Sequence, residues 1–318
     1  MINVGGISME IPIILGAGVC KTPASIKEYM HPELPLGAVV TGSYTPLPRD
    51  GNGGTMYAWV DQGETSFALN SFGMPNCGYV EAYRQLAEST QTRPLIVSVA
   101  GFSSEDYKEG LEHFGRDIPV ELNLGCPNAH DQKTVPFAND LDSTRNLLEL
   151  CSKVRNDATV WLKLSPYLTE RDVVRLPSSV DVSSVPFVSD GFAEEMAKLI
   201  NSYAGLVSAV VISNTVGNCV YRKNGTPVTT PNGGKAGMSG PAMKQFALKQ
   251  TEQFREWLTP AIDLIGCGGV MRGDDVVDYL HAGAVGVQCT TLPYQFGGPK
   301  VFADLISGSD KLQQLLQL

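Results

Sequence analysis

The seven cysteines are scattered and odd in number, and no two of them form a C-x-x-C pair. That spacing argues against a disulfide framework and against a zinc or iron–sulfur cage, and it fits a reducing compartment such as the cytosol. No run of basic residues occurs, and the formal charge is -9, so a surface built to hold nucleic acid or anionic lipid is not expected. The first residues, MINVGGISMEIPI, lack a basic segment followed by an apolar core, and nowhere is there a span of about 20 apolar residues. An exported or membrane-spanning chain is therefore not expected, and a cytoplasmic location is. No Pro/Ser-rich or charged linker divides the 318 residues, which points to a single domain over 1–318.

What the sequence does contain is a repeated unit. Short β-branched runs ending in polar residues or glycine alternate with stretches of helical spacing, the pattern of βα units. Eight such runs stand out: Gly37 to Thr41, Ser66 to Asn70, Leu95 to Ala100, Val120 to Leu124, Val160 to Leu164, Ala209 to Ser213, Asp263 to Gly266 and Gly286 to Cys289. Helices are expected near 81–90, 104–114, 143–156, 192–204, 241–257 and 273–282, several with start signals at Ser104, Ser143 and Pro241. Eight parallel strands predict an α/β fold, a TIM (β/α)8 barrel. The segments 176–190 and 221–237 fit no βα unit and read as additional loops over the carboxyl-terminal face.

In such a barrel the active site is built where the strands end. Here those ends carry Thr41 and Ser43, Asn70, Ser98, Asn123, Lys163, Asn214 and Thr215, Gly268 and Gly269, and Thr290 and Thr291. One asparagine at a strand end is an ordinary turn residue; this many on one rim suggest a polar site. The segment IGCGGV, followed by a helix and then by the last strand, has the form of a phosphate corner, to which Ser239-Gly240-Pro241 could add amides. Lys163 alternates with apolar neighbours, so its side chain points inward, either to a core carboxylate such as Glu121 or to a cofactor on which it would stabilise negative charge. Cys126, in the loop Asn123-Leu124-Gly125-Cys126-Pro127-Asn128, is the cysteine best placed to act as a nucleophile or general base.

The segments SVAGFSSEDY, ELNLGCPN, LKLSP, ISNTVGN, GMSGPA and IGCGGV, together with LNSFGMPN, resemble the class 1 dihydroorotate dehydrogenases and the related barrel of dihydropyrimidine dehydrogenase, over nearly the whole chain. The resemblance implies an FMN-containing enzyme that oxidises dihydroorotate to orotate in pyrimidine biosynthesis. In that family a loop cysteine removes a proton from one ring carbon while hydride passes from its neighbour to flavin N5. Carried over, it makes Cys126 the base. It assigns Asn70, Asn123, Asn128, Asn214 and Thr215, with the backbone at Gly73 and Met74, to the pyrimidine ring. Ala17, Gly18, Ser43, Asn123 and Lys163 would meet the flavin ring, and Gly240, Gly268, Gly269, Thr290 and Thr291 its phosphate. A homodimer, with fumarate, oxygen or a separate electron-transfer partner as acceptor, is the corresponding family expectation.

Two departures stand out. Where the family has T-K-S, with a lysine reaching both flavin and substrate carboxylate, this chain has Thr41-Gly42-Ser43, although the following pattern is kept from Thr45 to Asn52. Either another cation substitutes, with Arg49 or a cation of 221–235 as candidates, or the substrate lacks the carboxylate and the chain acts on a different dihydropyrimidine or enone. Thr290 stands where the family usually has glycine. A tRNA dihydrouridine synthase would need a basic surface that is lacking, and a non-catalytic binding barrel would have no use for Cys126 and Lys163.

Overall fold

The structure is a computed structural model and describes residues 1–125, 135–155 and 159–317. Eight parallel strands close into a barrel in chain order: β1 (Ile13–Cys20), β2 (Ala38–Thr41), β3 (Leu95–Val99), β4 (Val120–Asn123), β5 (Val160–Lys163), β6 (Val207–Ile212), β7 (Asp263–Cys267) and β8 (Gly286–Cys289). The strands are apolar on both faces because both faces are covered, as a parallel barrel requires. Alternation along each strand sorts the side chains. Leu15, Val39, Val97, Leu122, Leu162 and Val210 pack outward in the core shared with the helices, whereas Ile14, Val40, Ile96, Trp161, Val211 and Ile265 fill the barrel.

The surrounding helices start and turn as the sequence suggests, with shifted caps. Ser104–Phe114 is capped by Ser103, whose side chain accepts from the Asp106 amide in a capping box, and it buries Tyr107, Gly110, Leu111 and Phe114 along one face. Leu141–Val154 is capped by Asp140 and buries Thr144, Leu147, Leu148 and Cys151. The amino-terminal hairpin, Ile2–Val4 with Ile7–Met9, plugs the lower end of the barrel. Gly5 anchors it, its carbonyl accepting from Trp161 Nε1 at 3.0 Å and Ser208 Oγ at 2.8 Å.

One of the eight expected strands is not part of the barrel. Ser66 to Asn70 contains a strand, Phe67–Asn70, but it pairs antiparallel with Tyr57–Val60 and with Ala236–Ser239. These join Val216–Lys223, Val180–Asp181 and Thr226–Pro227 in a six-stranded sheet over the barrel mouth, with its own core around Phe67, Leu69, Val216 and Met238. The two segments read as loops thus contribute strands to one layer. The barrel strand in its place is β1, whose Gly16 and Gly18 interrupt the apolar run and make its end look like a loop. Its register shifts between Leu15 and Cys20, and Gly18 has φ 116°. No helix among the described residues is long and apolar enough to cross a membrane.

Candidate active site

The inward positions turn polar at the carboxyl ends of the strands, and there they line a cavity of about 1230 Å³ including its open mouth. A hydrogen-bonded chain crosses it. Ser98 and Ser43 hydroxyls are 2.8 Å apart, Asn123 Nδ2 donates to Ser43 Oγ at 2.9 Å, and Asn214 Nδ2 donates to Asn123 Oδ1 at 2.8 Å. Asn214 Oδ1 in turn accepts from the Thr215 amide at 2.8 Å. Tyr107 fixes the strand end from behind, its hydroxyl donating to the Asn123 carbonyl at 2.8 Å. On the opposite wall, Asn70 Nδ2 donates to the Gly237 carbonyl at 3.1 Å, and Gly73 and Met74 follow with positive φ, so the backbone turns toward the cavity.

Most residues expected at the site on sequence grounds meet in this cavity: Ala17, Gly18, Ser43, Asn70, Gly73, Met74, Asn123, Lys163, Asn214, Thr215, Gly268, Gly269, Thr290 and Thr291 all line it. Gly240 is set back from the wall, which its neighbour Ser239 forms. Cys126 and Asn128 lie outside the described residues.

The phosphate corner has a definite shape. Gly268 and Gly269 both have positive φ, and a side chain at Gly269 would meet the Lys244 backbone nitrogen at 2.7 Å, so only glycine lets this turn pass so close to the start of the helix Lys244–Trp257. Thr290 has an ordinary φ of -125°, and the missing side chain at Gly16 leaves room for its hydroxyl, which is buried without a partner among the described residues. A buried donor with no acceptor costs about 1–3 kcal/mol. A phosphate or ribityl oxygen at this turn would accept from it, so these residues fit such a group. Thr291 Oγ1 and Ser239 Oγ are 3.1 Å apart beside it.

Lys163 is not in a direct ion pair with Glu121, the sequence alternative. Its Nζ donates to Gln288 Oε1 at 2.9 Å, and Gln288 Nε2 donates to Glu121 Oε2 at 2.6 Å. Burial pulls the Lys163 ammonium down, but the charges it meets at Cys267 and Glu121 push it up by more, leaving it above its ordinary value. Burial also raises the Cys267 thiol, against the opposing pull of Lys163. Lys163 stands on the cavity wall together with Cys267 and Gln288.

The residue that sequence reasoning missed is Lys21. A side chain at Gly42 would meet Lys21 Cγ at 2.5 Å and Lys21 Cε at 3.3 Å, so Lys21 occupies the room that Gly42 leaves. Its backbone is held by the capping box of helix Pro23–Tyr29, where the Lys21 and Thr22 amides donate to Ser25 Oγ at 3.1 and 3.0 Å. The ammonium lies 5.2 Å from the centre of the Phe72 ring, and both residues line the cavity. Arg49 points elsewhere: its Nε donates to the Gly73 carbonyl at 3.3 Å and its guanidinium stacks 4.8 Å from the Phe102 ring, outside the cavity wall. The only sequence signal for Lys21 was its position directly after an apolar run, Ile13 to Cys20, that glycines interrupt.

The family model for dihydroorotate dehydrogenase matches residues 1–316. The chain is 29% identical over 321 residues to the catalytic subunit of dihydroorotate dehydrogenase B (NAD(+)) from Listeria monocytogenes serotype 4b, covering 98% of this chain and 93% of that one. It is also 29% identical over 307 residues to a Streptococcus pyogenes serotype M1 protein named for dihydroorotate dehydrogenase A (fumarate), covering 94% and 88%. Among solved structures it resembles DHODH from Eimeria tenella in complex with ferulenol, with a TM-score of 0.74 at 17% identity over 99% of this chain and 85% of that one. At that identity the likeness concerns the fold.

Proposed function

The chain belongs to the dihydroorotate dehydrogenase family of oxidoreductases acting on a CH–CH bond, and from that premise we propose that it oxidises dihydroorotate to orotate with FMN as its flavin. The family is flavin-dependent; the glycine turn at 268–269, the Thr290 hydroxyl without a partner among the described residues, and Lys163 on the cavity wall support FMN as the form bound here. Bound there, FMN supplies the acceptor for the hydride. The remaining work falls to the chain. Asn123 and Asn214, held in one hydrogen-bonded row, present amide edges that match the imide edge of a pyrimidine ring, with Thr215 next to them and Asn70 on the opposite wall. Cys126, and Asn128 beyond it, are assigned by the resemblance: the cysteine takes the proton from the ring carbon next to the one that loses hydride.

The observation that carries this reading is Lys21 in the space of Gly42. A cation still lines the cavity that the asparagine row crosses, although it comes from a different strand end, and this supports a carboxylate-bearing substrate over a carboxylate-free one. Turnover of dihydroorotate against dihydrouracil, which lacks the carboxylate, is the test. Preference for dihydroorotate is expected in the native protein, and equal or reversed preference would overturn the assignment.

Relatives at the same 29% identity are named for NAD(+) and for fumarate, so both acceptors belong to the proposal. The absence of basic clusters favours a small-molecule substrate in the cytoplasm over a nucleic-acid or membrane partner. A single domain over the whole chain and a homodimer complete the proposal, with a separate electron-transfer subunit as a candidate partner.

A further inference from the structure

Beneath the floor of the cavity lies a carboxylate that the reaction does not use. Glu121 is fully buried on the inward face of β4, and among the described residues its only hydrogen bond is the one that Oε2 accepts from Gln288. The other oxygen, Oε1, has no partner among them. An isolated buried carboxylate is costly, so its retention below a cation calls for a physical account.

The geometry supplies one. Gln288 stands between the two charges with its carbonyl toward Lys163 and its amide N–H toward Glu121. This is the orientation that satisfies both, because an ammonium needs an acceptor and a carboxylate needs a donor. Donation to an anion at one end of the amide polarises the carbonyl at the other and strengthens its hold on the ammonium. Lys163 thereby stays at the cavity wall, 5% exposed, rather than collapsing onto the carboxylate.

We infer that Glu121 is a positioning residue, acting through the Gln288 amide to fix the Lys163 ammonium and so to set how strongly the cavity favours a reduced over an oxidised flavin ring. This rests on the reading that a flavin binds here. A charge acting directly on the ring would give the same shift whether or not Lys163 is present, whereas action through Lys163 requires the lysine.

The test is a double-mutant cycle. FMN affinities in the oxidised and reduced states are measured for the native protein, Glu121→Gln, Lys163→Met and the pair. The ratio of the two affinities is expected to change about tenfold on Glu121→Gln when Lys163 is present, the order of one charge-assisted hydrogen bond, and to stay constant in the Lys163→Met background. Equal changes in both backgrounds, or no change while only thermal stability falls, would overturn the inference. A readout free of flavin accompanies it: in apoprotein carrying 13C-labelled lysine, Glu121→Gln should move the Lys163 side-chain resonance. A native protein that holds no flavin would sink the functional reading, and an unmoved resonance would separately sink the role of Glu121.

Discussion

Lys21 and Gly42 form a coupled pair, since the lysine side chain uses the volume that any larger residue at position 42 would need. Replacing Lys21 by Met should weaken dihydroorotate binding by about 1.5–3 kcal/mol, the size of a hydrogen bond to a charged group. That is roughly 10- to 150-fold, read from orotate titrations, with dihydrouracil affected far less. Gly42→Ala should displace Lys21 and lower turnover by about tenfold or more without unfolding the barrel. Moving the cation back, as K21A/G42K, should recover part of the lost affinity; no recovery would mean that Lys21 acts otherwise than as a carboxylate partner. Cys126→Ala should keep the flavin and lose about 10²- to 10⁴-fold in turnover, the usual worth of a positioned base. Unchanged turnover would remove the thiol from the chemistry. Lys163 was legible because alternation in a strand says which side chains face inward, and Asn123 and Asn214 because they stand where strands end. Lys21 was not: it follows a bulged, glycine-broken strand end and precedes a helix cap, where no periodicity fixes direction. Gln288 was hidden for another reason, since one amide in a short apolar strand carries no sign of the two charges that it joins.

At the level of elements, the alternation of strands and helices was readable, and the helix faces at Leu147, Leu148 and Cys151 were as expected. The misplaced strand shows where pattern stops. Phe67–Asn70 has the composition of a barrel strand because it too is buried, but one antiparallel partner, Ala236–Ser239, comes from far along the chain, and the nearby one, Tyr57–Val60, was not read as a strand. Two measurements belong here. Ser103→Ala removes the cap of helix Ser104–Phe114 and should cost about 1 kcal/mol in denaturant unfolding, with the active site untouched. Gly269→Ala forces a side chain against the Lys244 backbone at positive φ, and should weaken flavin binding sharply while the far-ultraviolet circular dichroism stays that of a barrel. Flavin affinity equal to that of the native protein would place the phosphate elsewhere.

For the whole molecule, barrel and overlying sheet have separate tasks. The barrel fixes the asparagine row, Lys163 and the glycine turn on rigid strand ends, while the sheet brings Asn70 and its neighbours over the same opening. Each layer has its own apolar core, so the roof of the site can change without disturbing the strands below. That division is consistent with a family in which relatives at the same identity carry names for different electron acceptors. The central claim is that this opening holds a flavin and that Lys21 has taken over the carboxylate of dihydroorotate. Anaerobic mixing of the purified protein with dihydroorotate, followed through the visible absorbance of the flavin, tests it most directly. Bleaching by dihydroorotate in the native protein, much reduced in Lys21→Met, is the predicted result; a flavin-loaded native protein that dihydroorotate leaves unbleached would contradict it.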